Sequence, residues 1–122
     1  MKKIVSSLLL AALISACGSE KKEELSVKTE KISGTELQSM FKVWGNCETC
    51  KETIENAVQV DGVSGLNWDV ESKMITVRYD TTKITLDQIE KNIAAAGYDN
   101  VKYKADDKAY AELPKCCKYE RK

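Results

Sequence analysis

A chain of 122 residues with 19 basic and 19 acidic side chains is sized for one folded domain, not two, and carries no basic excess. Nucleic acid is therefore not expected as a partner, because it would call for a basic face. Histidine is absent, so Cys–His nucleophilic catalysis is excluded and any metal site must use thiolates, carboxylates or backbone; five cysteines are available.

The chain opens with "MKK" and a 13-residue apolar run, "IVSSLLLAALISA". Residues 1–16 read as a secretory signal peptide, too short for a permanent membrane span. The junction "ISAC" resembles the lipobox of bacterial lipoproteins. That resemblance implies cleavage before Cys17 and lipid on its sulfur. The expected address is the cell envelope: the periplasmic side of either membrane, or the cell surface. Each lipid CH₂ buried in the bilayer contributes about 0.8 kcal/mol. With Lys2 and Lys3 removed, the mature chain has a net charge of −2.

Residues 17–36 would then be the lipidated cysteine and a charged linker. Its polar sequence cannot bury enough surface to fold alone, and a flexible chain of this length reaches roughly 20–25 Å. The folded part is expected over residues 37–105. "LQSMFKVW" sets Phe41 and Val43 against Met40, Lys42 and Trp44, the alternation of a strand. Cys50, Ile54, Ala57 and Val58 share one helical face, and "DGVSG" ends that helix.

Two strands follow, one presenting Leu66, Trp68 and Val70 and the other Ile75, Val77 and Tyr79, with "ESK" as the hairpin turn. Thr85 and Gln88 form a capping box for a second helix, whose stripe is Leu86, Ile89 and Ile93 and whose C-terminal glycine is Gly97. "NVKYKA" reads as a last strand through Val101 and Tyr103. The order β-α-β-β-α-β predicts an α+β, ferredoxin-like fold, with a four-stranded antiparallel sheet and two helices on one face. Residues 106–122 form a tail with one helical turn near Ala109–Leu113, stopped by Pro114, and a vicinal Cys116–Cys117 pair.

Three chemistries fit Cys47 and Cys50. A C-x-x-C at the first turn of a helix gathers two sulfurs near unpaired amides and a positive dipole end, which favours thiolates and a soft metal ion. Lys51 adds positive charge. Among soft ions Cu(I) leads, followed by Hg(II), Cd(II) and Zn(II). C-x-x-C is also the thioredoxin spacing, which leaves a thiol–disulfide oxidoreductase as the alternative, although Gly45-Asn46 before the pair and Glu48-Thr49 between it are not the usual residues. A structural disulfide is the third option, and so short a loop makes it a weak staple.

Residues 38–104 resemble the heavy-metal-associated domain family of bacterial copper chaperones, the periplasmic mercury-binding protein and the modules of copper-transporting ATPases. "GNCETC" stands for that family's G-M-x-C-x-x-C. "VDGVSGLNWDV", "ITVRYD" and "IAAAGYDNV" match its later segments in order. The resemblance implies Cys47 and Cys50 as ligands of a soft ion, with Tyr98 shielding the sulfurs; Lys51 and Asn46 are the other residues expected around them. It implies a carrier rather than an enzyme, with a metal-transporting ATPase or efflux component as recipient. The family's methionine before the first cysteine is missing; either Trp44 or Met40 packs in its place or, the favoured reading, both are ordinary sheet residues. Cys116 and Cys117 lie outside the family pattern. The tail either folds back to add one or both sulfurs to the 47/50 site, forms a separate soft-metal hook, or is inert.

Overall fold

The computed structural model describes residues 27–122; the signal segment 1–16, Cys17 and the first part of the linker lie outside the described residues. The described chain runs β1 (Lys28–Ser33), β2 (Glu36–Lys42), α1 (Glu48–Val58), β3 (Val63–Trp68), β4 (Met74–Asp80), α2 (Leu86–Ala95), a short α3 (Asp107–Ala111), and a 3₁₀ turn at Lys115–Cys117. Among the described residues, no helix is long and apolar enough to cross a membrane.

The four strands form one antiparallel sheet in the order β1-β2-β4-β3. In β2, Ser39 and Phe41 are buried, and Val43 just beyond it; in β4 the buried set is Ile75, Val77 and Tyr79. These alternate residues meet Cys50, Ile54 and Val58 of α1 and Ile89 and Ile93 of α2 in one core. Burying each large apolar side chain contributes about 1.5–3 kcal/mol, so this shared face holds helices to sheet. The hairpin turn falls at "ESK" as expected. The Asp69 carboxylate accepts from the Ser72 amide at 2.9 Å, and Lys73 adopts a left-handed φ of 62°.

The ferredoxin-like α+β architecture stands, but its fourth strand comes from elsewhere. The segment read as linker supplies β1, whose Lys28 to Lys31 pair with Met40 to Leu37 of β2. The expected last strand, "NVKYKA", is reduced to a single antiparallel bridge between Val43 and Asn100. Two things stop it. The edge of β2 is already paired with β1. The Asn100 side-chain oxygen also accepts from the Lys102 and Tyr103 amides at 3.1 and 3.0 Å, curling the chain away.

Helix α2 starts where the capping signal puts it, with Thr85 Oγ1 accepting from the Gln88 amide at 3.2 Å. The Gln88 side chain donates to Asn92 instead of returning to Thr85. Gly97 follows with φ 103°, and a Cβ there would lie 3.0 Å from the Ala109 carbonyl oxygen. A left-handed turn and the close pass of α3 both require glycine at this position. The turn sends residues 98–122 back toward the start of α1.

Candidate metal centre

Cys47 is the N-cap of α1, and Cys50 lies on its first turn, fully buried in the core. Three residues of helical advance bring the two sulfurs to 3.7 Å, and both thiols are free. The Asn46 amide points at Cys50 Sγ from 3.5 Å. Cys47 ionises at about 7, well below its ordinary value. The Cys50 amide is the main cause, outweighing a smaller opposing effect of burial; the Cys50 thiol and the Thr49 amide assist. A thiolate is thus available at neutral pH.

The loop entering the helix is fixed from below by a residue the sequence reading placed only in the sheet. A Cβ on Gly45 would lie 2.9 Å from the Trp68 ring and 3.4 Å from Cys50 Cβ, so the indole is packed flush against the loop. Trp68 is fully buried, and its Nε1 donates to the Val43 carbonyl at 3.1 Å. Trp68 takes the position beneath the loop. Trp44 is half-buried, with the Lys42 and Lys122 ammonium groups over its ring, and Met40 is a β2 residue beside Lys28 and Thr76.

Lys51 does not face the sulfurs either. Its ammonium donates to Glu55, Asn67 and the Trp68 carbonyl at 2.7, 2.9 and 2.7 Å, tying α1 to β3. Asn46 does stand at the site: besides its amide, its side chain reaches the Cys116 carbonyl at 3.5 Å.

The tail folds back. Cys117 is fully buried, and its sulfur joins those of Cys47 and Cys50, all within 4.8 Å of one another. The Cys117 thiol is pushed up to about 12, by burial first and the neighbouring Cys50 thiol second. Cys116 behaves differently. Its side chain is exposed and lies 3.9 Å from the Cys117 sulfur, while its carbonyl accepts from the Cys47 thiol at 3.5 Å. The vicinal pair therefore contributes one thiol to the cluster, not two.

Tyr98 is fully buried, and its hydroxyl has no hydrogen-bond partner. Burial is the main reason its ionisation is displaced upward, and the thiols of Cys117 and Cys50, which share its core, add to it. Behind it, Tyr119 stacks on the Tyr98 ring with centroids 5.5 Å apart. The Tyr119 hydroxyl accepts from the Asp99 amide at 2.8 Å and donates to the Gly97 carbonyl at 2.7 Å. Tyr119, Asp99 and Arg121 escape a reading of sequence because their order is set only by the folded tail.

The comparisons with known proteins agree with this geometry. The family profile for the heavy-metal-associated domain matches residues 46–99. The copper chaperone CopZ of Staphylococcus aureus is 33% identical over 66 residues, 52% of this chain and 97% of that protein. This chain belongs to the heavy-metal-associated domain family. A solved structure of the CopZ metallochaperone is 32% identical and superposes with a TM-score of 0.50, covering 52% of this chain and 97% of that one. The apo form of the HMA domain of a copper chaperone for superoxide dismutase shares the fold, at 20% identity and a TM-score of 0.50, over 73% of this chain and 89% of that one.

Proposed function

We propose that this protein is a membrane-anchored carrier that captures Cu(I) between Cys47 and Cys50 and passes it on by ligand exchange. The observation that carries the reading is the 3.7 Å pair of free sulfurs at the N-terminus of α1, in a family member whose relatives include a copper chaperone. Cys47 is partly exposed and ionises near neutrality, so it is the entry ligand; Cys50 is buried and completes the grip. Helix amides and the positive dipole end offset the negative charge of a dithiolate–Cu(I) centre. Without histidine the site offers soft donors only, which favours Cu(I) over harder ions; Hg(II), Cd(II) and Zn(II) are its competitors.

The proposed anchor is lipid on Cys17, holding the domain on the envelope side of a membrane; it is supported by "MKKIVSSLLLAALISAC", which resembles a lipoprotein signal. The recipient of the ion would be a metal-transporting ATPase or efflux component presenting a similar pair of thiols. Thiol–disulfide exchange by the same pair is less favoured, since the relatives are copper carriers by description.

One reduced, anaerobic preparation of the full chain decides between the two. A carrier binds Cu(I) stoichiometrically and gives no turnover with a model disulfide. Catalytic reduction of that disulfide, without retention of copper, would overturn the reading.

A further inference from the structure

The tail is built to keep one sulfur in place. Residues 115–117 make a 3₁₀ turn behind Pro114, closed by the Cys117 amide donating to the Pro114 carbonyl at 2.8 Å. Two residues on, Tyr119 is 3% exposed and plugs the space behind Tyr98. Its main-chain carbonyl accepts from the Tyr110 hydroxyl at 2.8 Å. Arg121 then closes on the buried Asp99 carboxylate and on Asp107, and the Lys122 amide donates to Asp99 at 3.1 Å. A buried carboxylate, two stacked rings and these polar contacts hold the segment in place.

Sulfur spacing says what the tail is holding. With thiolate–metal bonds of about 2.3 Å, as for zinc, a linear two-sulfur centre sets its sulfurs about 4.6 Å apart and a planar three-sulfur centre about 4.0 Å. Cys47 and Cys50 stand at 3.7 Å, and Cys117 brings the third sulfur within 4.8 Å of both. A second observation points the same way. The fully buried Tyr98 hydroxyl has no oxygen or nitrogen partner and shares the core with Cys50 and Cys117, so thiolate sulfur would supply it an acceptor.

We infer that Cys117 is a third ligand to the cargo ion, delivered by the C-terminal tail, so that the ion is held by three sulfurs and exchanges out more slowly than it would from two. The inference rests on the metal-carrier reading above and adds to it a device for retention. Loading replaces the protons still on the three thiols with metal–sulfur bonds and releases those protons to water; unloading returns them as an acceptor's thiolates take the ion. Cys47 is the only one of the three sulfurs that is not fully buried, so exchange starts on its side. Cys116 stays outside the centre.

The test is copper-edge X-ray absorption on the full chain loaded with one equivalent of Cu(I), without added thiol. The wild type and Cys116→Ser are expected to show three sulfur neighbours, and Cys117→Ser two. Release of copper to a chromogenic chelator should be roughly tenfold to a hundredfold faster from Cys117→Ser, because its third ligand is supplied at high effective concentration by the same chain. Two sulfur neighbours in the wild type, or a drop to two in Cys116→Ser, would overturn the inference while leaving the two-thiolate carrier intact. Failure of the wild type to bind copper at all would sink both. The wild-type and Cys116→Ser spectra decide the matter even if Cys117→Ser does not fold.

Discussion

Arg121 meets Asp99 through two nitrogens, at 3.1 and 3.3 Å, and the carboxylate it holds is fully buried. The Ala105 and Lys122 amides complete its shell at 2.6 and 3.1 Å. Asp99 immediately follows Tyr98, so one short segment lines the sulfur cluster and anchors the tail that completes it. Removing Arg121 leaves a buried charge short of its counter-ion. Arg121→Ala should cost about 3 kcal/mol in chemical denaturation, and Asp99→Asn in the same chain should recover part of that loss.

The same carboxylate sets an acid limit. Burial alone would raise its pKa, but the Arg121 guanidinium and the Ala105 and Lys122 amides outweigh it and hold Asp99 below its ordinary 3.8. A depressed carboxylate contributes its full stability above the unfolded value, and that contribution disappears as pH falls through the lower folded value. The tail should therefore stay docked at pH 5 and detach only below about pH 4. Tyr119 near-ultraviolet circular dichroism across that range reports it, and loss of the signal near neutrality would contradict the assignment.

Tyr98→Phe separates the empty protein from the loaded one. Its hydroxyl is buried without a partner, so deleting it should stabilise the metal-free chain by up to about 1 kcal/mol. With copper bound, the hydroxyl gains thiolate sulfur as an acceptor, and the variant should hold the ion a few-fold less tightly, about 1 kcal/mol or less. Paired melts with and without Cu(I) would show the variant's advantage over the wild type shrinking once copper is bound.

Gly45→Ala tests the floor of the loop. The added methyl would meet the Trp68 ring at 2.9 Å, and both the indole and Cys50 are fully buried. Overpacking of this kind costs about 1–3 kcal/mol. Because the strain falls between Trp68 and Cys50, copper affinity should fall with stability and the Trp68 emission should shift red. A variant as stable as the wild type would show the loop to be looser than its contacts imply.

Much of this was readable from residue order alone. The helix stripes, the Thr85 cap, the left-handed Gly97 and the β3–β4 hairpin each depend on local spacing, and each lies where that spacing places it. Strand β1 was not readable. All six of its residues are exposed, so it has no apolar alternation; its pairing is backbone to β2, and its two lysines suit an edge. The displaced last strand follows from that, because β1 occupies the edge that "NVKYKA" would have used. At the site, Cys47 and Cys50 are neighbours in sequence, and their meeting is a matter of helix pitch. Cys117 arrives from 67 positions beyond Cys50, by way of Gly97, Tyr119 and Arg121, and the order of residues gives no rule that selects it over Cys116. Lys51 shows the opposite failure: its position beside Cys50 suggested an electrostatic role, yet its long side chain finds better acceptors on β3.

The most direct test of the central claim is anaerobic competition for Cu(I) between the reduced full chain and a chromogenic chelator, run on the wild type, Cys47→Ser and Cys50→Ser. The account predicts one tight equivalent for the wild type and a marked weakening of that equivalent in either variant. Equal retention of copper by all three proteins, or none by the wild type, would contradict it.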